Sequence, residues 1–176
     1  MSMGATPDGR TGNEAARLLA LRNSGLLDSG SDMRLDAIVH RAAMLFNVPM
    51  AAVSLLDDTR QVFRASVGLG LPYTPRDLAF CGYAILGTDP FVVLNAKLDP
   101  RFASNPLVQE RPGIRFYAGA PVYGAEHQPF GALCVMDRRE RLAVEAEELV
   151  ALIALAAEVS RIFSTAPIEF KPERGW

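Results

Sequence analysis

The segment from residue 130 to residue 136 constrains the fold most strongly, because it is a short, strand-like run of apolar residues. Side chains alternate between the two faces of a strand. One predicted face carries Phe130, Ala132, Cys134 and Met136, and the other carries Leu133 and Val135. A strand that is apolar on both faces is usually central in its sheet, with helices on either side. The sequence therefore predicts a layered fold around a central sheet.

Helical patterns stand at both ends of the chain. A first helix is predicted over residues 14–24, where Asn13 can cap its start and Gly25 can end it. A second helix has the clearest pattern, since its apolar residues recur at helical spacing. These residues are Leu35, Ile38, Val39, Ala42, Ala43 and Phe46. Pro49 prevents this helix from continuing, and a last helix is predicted from about Val144 to Phe163.

Strand patterns fill the middle of the chain. They cover residues 50–56, 60–67, 91–94, 114–123 and 130–136. The first two form a hairpin. Residues 68–75 and 96–110 are predicted as loops, the second with a helical turn around residues 100–107, and Asp77 can cap a short helix through Ile85. We predict an α+β fold with a mostly antiparallel sheet of five to six strands. The terminal helices lie on one face, and short helices and loops lie on the other.

Length and composition suit one domain. We predict a flexible lead at residues 1–12, the domain at residues 13–163 and a C-terminal tail at residues 164–176. The lead has no apolar stretch for a signal peptide, and the longest fully apolar run, Leu149–Ala157, is too short to span a bilayer. The net charge of −2 gives no case for nucleic acid or for an anionic membrane surface. A cytoplasmic protein is therefore expected.

Several short motifs occur in a characteristic order. They are Phe80-Cys81, Asp99–Phe102, Asn105-Pro106, Arg115–Gly119 and Leu133–Val135. Together they closely resemble the GAF family of small-molecule sensor domains, in the branch found ahead of bacterial cyclase or histidine-kinase domains. The resemblance covers roughly residues 13–163 and implies the same architecture. Tyr83 replaces a histidine and Asn95 replaces an aspartate that are common in that branch, so each departure removes an ionisable group.

The resemblance implies a ligand pocket, because the segments equivalent to Pro72–Tyr83 and Asn95–Val108 wall the pocket of GAF domains. Such sites are concave and mostly apolar, with a few converging polar groups. The candidate ligand-binding residues are Arg76, Phe80, Cys81, Tyr83, Asn95, Asp99, Arg101, Phe102, Asn105, Arg115 and Tyr117. The ligand and any cofactor stay unidentified, and no catalytic or metal-binding residue is predicted.

Structural roles compete with binding at several of these positions. Phe80 and Phe102 can simply anchor loops to the core, and Asp99 and Arg101 can pair with each other or cap a helix. Arg115 lies in a predicted strand, where a charge needs a partner. It could bind a ligand carboxylate or phosphate, but a structural ion pair with Asp137 or Asp99 is favoured.

The cysteines and histidines limit the chemistry further. Cys81 can begin a helix, where a thiol becomes more reactive, so redox sensing or covalent attachment of a chromophore stays open beside a buried, inert role. Cys134 is predicted in the core, and no disulfide is expected between the two. His40 and His127 are the two histidines, which excludes a three-histidine metal site.

The last helix carries two apolar stripes, although a helix that covers one sheet needs only one. The first stripe contains Leu142, Ala146, Leu149, Ile153, Ala156, Ser160 and Phe163, and the second contains Leu152, Leu155, Val159 and Ile162. The extra stripe must meet either the first helix of the same chain or another protomer, and we predict a homodimer.

These observations predict a sensory domain that binds a small molecule and passes the signal through its terminal helices to a partner, such as a kinase or cyclase, without catalytic activity of its own. Two alternatives stay open. A GAF-like cysteine enzyme that reduces free methionine sulfoxide would need a cluster of pocket cysteines, and a ligand-free dimerisation module would have no pocket.

Overall fold

The computed structural model describes residues 10–165, so most of the predicted lead and tail lies outside the described residues. The strands are β1 Met50–Leu56, β2 Arg60–Val67, β3 Tyr73–Pro75, β4 Phe91–Val93, β5 Phe116–Tyr123 and β6 Pro129–Asp137. The α-helices are α1 Glu14–Asn23, α2 Met33–Phe46, α3 Cys81–Ala84, α4 Pro106–Gln109 and α5 Ala146–Thr165. No helix within the described residues is both long enough and apolar enough to cross a membrane.

One antiparallel sheet organises the fold, with the strand order β3-β2-β1-β6-β5-β4. The predicted α+β class, the sheet of up to six strands and the central place of β6 are confirmed. Strand β3 was expected to be loop, but Tyr73–Pro75 pairs with the start of β2. Three residues are too few to show a period of two, so this edge strand left no pattern in the sequence.

A bulge in β6 overturns the predicted position of Phe130. Val122 pairs with Gly131 and Tyr123 pairs with Pro129, so Phe130 is the extra residue. The bulge shifts the alternation of side chains by one position. The Phe130 side chain therefore lies with Leu133 and Val135, in the core on the opposite face from Cys134.

The long helices α1, α2 and α5 cover one face of the sheet, as predicted. The apolar stripe of α2 is buried there, while α5 inserts its second predicted stripe into the same core. Its buried residues are Leu152, Leu155, Ala156, Val159 and Phe163. The exposed large apolar side chains of α5 are instead Val150 and Ile153. Charged substitutions at Leu155 or Val159 would therefore disrupt the core rather than separate two protomers.

Short helices and loops cover the other face, with boundaries that differ from those predicted. The helix expected from Asp77 to Ile85 is divided into a 3-10 turn at Arg76–Leu78 and α3, because Ala79 between them is extended. The helical turn expected around residues 100–107 begins later, as α4, where Asn105 accepts a hydrogen bond from the Leu107 amide. Arg115 precedes β5 instead of lying within it.

Candidate functional site

Stacked aromatic rings fill the centre of the face covered by α3 and α4. The Phe80 ring stacks on Phe102 with 4.1 Å between centroids, and it lies 5.2 Å from the Tyr117 ring. All three side chains are buried. The space expected to hold a ligand between the two covering segments is therefore largely occupied by the protein itself.

A small cavity remains beside these rings, with a volume of about 20 Å³. This inner cavity is lined by Gln61, Phe63, Leu69, Leu71, Thr74, Phe80, Cys81, Leu107, Pro112, Ile114, Tyr117, Cys134 and Met136. The volume is enough for about one water molecule. Its walls are mostly apolar, so the few polar atoms that reach it decide what it can bind.

Gln61 lines the inner cavity and carries a buried acceptor. Its Nε2 donates to the Thr74 hydroxyl at 3.0 Å, while its Oε1 is buried and has no hydrogen-bond partner among the described residues. The residue is only 4% exposed. A buried carbonyl oxygen without a partner costs free energy, so this atom favours a bound group that carries an N–H or O–H donor.

An open depression adjoins the inner cavity on the protein surface. It has a volume of about 620 Å³ and is lined by Leu69, Leu71, Pro112, Arg111 and Arg138. The first three of these also line the inner cavity, so the two spaces share a wall. Neither arginine forms an ion pair with another residue of the described range 10–165. This outer depression therefore presents two exposed positive charges beside an apolar floor.

Both thiols face the inner cavity, and both are free. The Tyr117 hydroxyl donates a hydrogen bond to the Cys81 sulfur at 3.1 Å. Burial raises the pKa of the Cys81 thiol, but the neighbouring Cys134, Ser54 and Tyr117 side chains outweigh this effect and lower that pKa below its ordinary value. The pKa of Cys134 is raised by its interaction with Cys81 and by burial. Cys81 is therefore the more acidic thiol of the two.

Of the eleven predicted ligand residues, three line the inner cavity: Phe80, Cys81 and Tyr117. Phe102 supports them from behind through its stacking on Phe80. Three others form a separate cluster, in which the Arg101 guanidinium lies 5.5 Å from the Tyr83 ring centroid and 2.7 Å from the Asp99 carboxylate. The structural alternative for Asp99 and Arg101 is thus what the structure shows.

The remaining four residues make structural contacts. Asn95 caps a turn through a hydrogen bond from the Lys97 amide, and Asn105 donates to the Leu78 carbonyl oxygen at 3.0 Å. Arg115 donates to the Val108 carbonyl oxygen at 2.9 Å. Its expected ion pair is not formed. The Asp137 backbone carbonyl oxygen accepts a hydrogen bond from the Arg115 backbone amide, and the Asp99 carboxylate is paired with Arg101.

Arg76 is buried on the side that faces α1. Its guanidinium donates to the Glu14 carboxylate at 3.0 Å and to the Asp57 carbonyl oxygen at 2.8 Å. It is not among the residues around the inner cavity. Its backbone nevertheless belongs to the covering segment that carries Phe80 and Cys81, so it connects that segment with the first helix.

Comparison with known proteins agrees with this geometry. Residues 31–161 match the GAF domain family model. The chain belongs to the GAF family. The GAF domain of an Acinetobacter phosphoenolpyruvate-protein phosphotransferase superposes with a TM-score of 0.59 at 22% identity, covering 84% of this chain and 92% of that one. The PixJ GAF domain of Thermosynechococcus elongatus gives a TM-score of 0.58 at 17% identity, covering 82% and 89%. At these identities the likeness shows the fold alone.

A more similar relative corrects the expectation about catalysis. A cyclic di-GMP phosphodiesterase of Pseudomonas aeruginosa is 49% identical over 129 residues, which cover 73% of this GAF chain. The prediction that the protein is not an enzyme is contradicted, because this relative is named for an enzymatic activity. The chain spans 22% of that enzyme's length.

Proposed function

We propose that this GAF domain is the sensory part of a protein that acts on cyclic di-GMP, and that a small anionic molecule bound at the inner cavity and outer depression controls that activity. The observation that carries the proposal is the buried Oε1 of Gln61, which has no hydrogen-bond partner among residues 10–165. Gln61 lines a cavity beside Arg111 and Arg138, which form no ion pair within the same range. The similarity to a cyclic di-GMP phosphodiesterase supports the choice of signalling system.

The charges and sizes of the two spaces indicate the ligand chemistry. Arg111 and Arg138 favour a carboxylate or phosphate group in the outer depression. Leu69, Leu71 and Pro112 offer apolar contacts to a short carbon skeleton. A single donor group, such as a hydroxyl or amine, would reach Gln61 in the inner cavity. The proposed ligand is therefore a small carboxylate or phosphate ester that carries one hydrogen-bond donor.

The predicted site residues take two roles in this proposal. Phe80, Cys81 and Tyr117 form the wall that the donor group of the ligand contacts. The other eight keep the covering segments in place through stacking, capping and ion pairs, and Arg76 transmits movement of its segment to α1 through Glu14.

Partners and location follow as parts of the same proposal. The exposed apolar side chains Val150 and Ile153 on α5 are proposed to form a homodimer contact. The cytoplasm is the proposed location, because a reducing compartment keeps the two thiols free.

Thermal unfolding with added ligand tests the binding proposal. Inorganic phosphate, glycerol phosphate, lactate and cyclic di-GMP would be screened. A ligand at 100 times its dissociation constant stabilises the native state by about 2.7 kcal/mol. The melting temperature should then rise by roughly 5–10 °C for a domain of this size.

Matched variants separate specific binding from a salt effect. Arg138→Gln should abolish most of the shift, whereas Arg139→Gln removes the neighbouring exposed charge and should keep it, since Arg139 does not line the outer depression. Gln61→Leu should weaken binding of ligands that carry a donor group. The proposal is wrong if no small anion stabilises the protein, or if the two arginine variants bind equally well.

A further inference from the structure

Residues far apart in the sequence bring two thiols together at the inner cavity. Cys81 is the first residue of α3, and Cys134 lies in the middle of β6. Both are buried, and both line the same space of about 20 Å³. The sensory proposal leaves these two nucleophiles without a chemical role.

Tyr117 connects the positions of the two thiols. Its ring crosses Gly119, where a Cβ atom would lie 2.2 Å from the Tyr117 hydroxyl oxygen. Gly119 is the cross-strand partner of Cys134. The same hydroxyl donates to the Cys81 sulfur at 3.1 Å. Tyr117 Oη therefore lies between the backbone position opposite Cys134 and the sulfur of Cys81.

The Tyr117 hydroxyl donates to the Cys81 sulfur. The Cys134 thiol donates to the Ala52 carbonyl oxygen at 3.6 Å, and the buried Ser54 hydroxyl donates to the Ala132 carbonyl oxygen at 3.4 Å. Both groups lie near enough to Cys81 to lower the pKa of its thiol together with Tyr117. Donors of this kind stabilise a thiolate, which is the reactive form of cysteine. Cys81 is thus the attacking sulfur of the pair, and Cys134 is the second sulfur at the same cavity.

The inner cavity lies next to the protein surface. The inner cavity accommodates about one water molecule, and hydrogen peroxide, with two linked oxygen atoms, needs little more room. Leu69, Leu71 and Pro112 separate the cavity from the outer depression. Leu71 is 38% exposed, so this wall is in contact with solvent.

We propose that Cys81 and Cys134 form a peroxide-responsive dithiol that closes reversibly to a disulfide between α3 and β6. The Cys81 thiolate attacks one peroxide oxygen, the O–O bond breaks, and the departing hydroxide takes a proton to become water. The resulting sulfenic acid is attacked by the Cys134 sulfur. The S–S bond forms as the S–O bond breaks, and the hydroxide leaves as water with the Cys134 proton. The dithiol loses two electrons to the peroxide, and a thiol reductant restores it.

Oxidation of the folded chain, without any ligand, tests this site independently of the sensory proposal. Treatment with one equivalent of hydrogen peroxide should remove both free thiols together. Peptide mapping under non-reducing conditions should then show Cys81 linked to Cys134 within one chain, and dithiothreitol should restore both thiols. In Cys134→Ser, Cys81 should instead accumulate as a sulfenic acid that a dimedone probe captures.

Two tyrosine variants provide the matched comparison. Tyr117→Phe removes only the hydroxyl that contacts Cys81. The loss of a hydrogen bond to a charged thiolate should slow the oxidation of Cys81 by about tenfold. Tyr83→Phe makes the same chemical change at a ring that does not line the cavity, and it should leave the oxidation rate unchanged.

The dithiol assignment is wrong if the thiols are lost one at a time without a linked peptide, or if the disulfide forms only between chains. Equal oxidation rates in the two tyrosine variants would also overturn it. Both variants retain their aromatic rings, and circular dichroism of each would establish that the comparison concerns folded protein.

Discussion

Glu14 holds two buried arginines, so its replacement by glutamine tests how strongly α1 is fixed to the rest of the domain. Glu14 Oε1 accepts hydrogen bonds from Arg17 at 2.7 Å and from Arg76 at 3.0 Å. The Arg17 side chain is fully buried, and that of Arg76 is 2% exposed. Removing one partner of a buried ion pair leaves an uncompensated charge, which costs about 3–5 kcal/mol.

The pKa of Glu14 gives a second measure of the same interaction. Burial opposes ionisation of this carboxyl, but the hydrogen bonds and charges of Arg17 and Arg76 lower its pKa from 4.5 to about 2. That difference corresponds to at most about 3–4 kcal/mol at neutral pH. The side chain is 17% exposed, and screening by water reduces the figure to about 2 kcal/mol. We therefore expect Glu14→Gln to lower the free energy of unfolding by about 2–4 kcal/mol.

Urea unfolding at several pH values measures this loss. Because the pKa of Glu14 is lower in the folded state, its contribution is complete above pH 4.5 and disappears as the pH falls toward 2. The difference between wild type and Glu14→Gln should shrink over the same interval. Glu110→Gln is the control, since Glu110 is exposed and forms no ion pair within residues 10–165. It should change the free energy by less than about 0.5 kcal/mol.

The reasoning would be refuted by a loss below about 1 kcal/mol at neutral pH, because the buried charges would then be satisfied without Glu14. A larger loss that stays constant down to about pH 2 would refute it as well, since the effect would not come from the carboxylate charge.

Two further predictions concern the surface of α5 and the central sheet. Ile153→Glu should turn the proposed dimer into a folded monomer in light scattering, because 47% of this side chain is exposed on α5. Leu142→Glu, which changes an exposed residue before the helix, should leave the dimer intact. A monomeric wild-type protein contradicts the proposal. Gly131→Ala should lower the free energy of unfolding by at least about 2 kcal/mol, because its Cβ would lie 1.7 Å from the Ser54 carbonyl oxygen. Gly87→Ala is the control, because a Cβ atom at Gly87 would have no other atom within 4 Å. Equal melting curves for the two alanine variants would show that the structure accommodates the Cβ atom at residue 131, and the prediction would be wrong.

Periodic apolar patterns predicted the long elements because burial alone determines them. The stripe of α2 and the two-sided strand β6 appear in the structure at nearly the predicted positions. Bulges are different, since one extra residue shifts the alternation without changing the composition. Phe130 is such a residue in β6, and Arg64 is another in β2, where Ser54 pairs with Phe63 and Val53 pairs with Ala65.

The candidate site was only partly predictable for the same reason. Phe80, Cys81 and Tyr117 were found through the family resemblance and do line the inner cavity. Gln61 alternates with Phe63 on β2, which is a local signal for an inward-facing polar residue, but the bulge after Phe63 obscures it. The shared position of Cys81 and Cys134 at the inner cavity has no local signal in the sequence, because it depends on how α3 packs across β6.

The covering segment of the site and the first helix are joined through one side chain. Arg76 follows the edge strand β3, and its backbone amide donates to the Thr59 carbonyl oxygen at 2.9 Å. Its guanidinium reaches Glu14, while Phe80 and Cys81 lie four and five residues further along the same segment. In the proposed sensory function, a ligand or a disulfide that moves α3 would strain this ion pair unless α1 moves with it. Because breaking the buried pair destabilises the fold, the proposal expects α1 to move, and this movement would transmit the state of the cavity to the first helix.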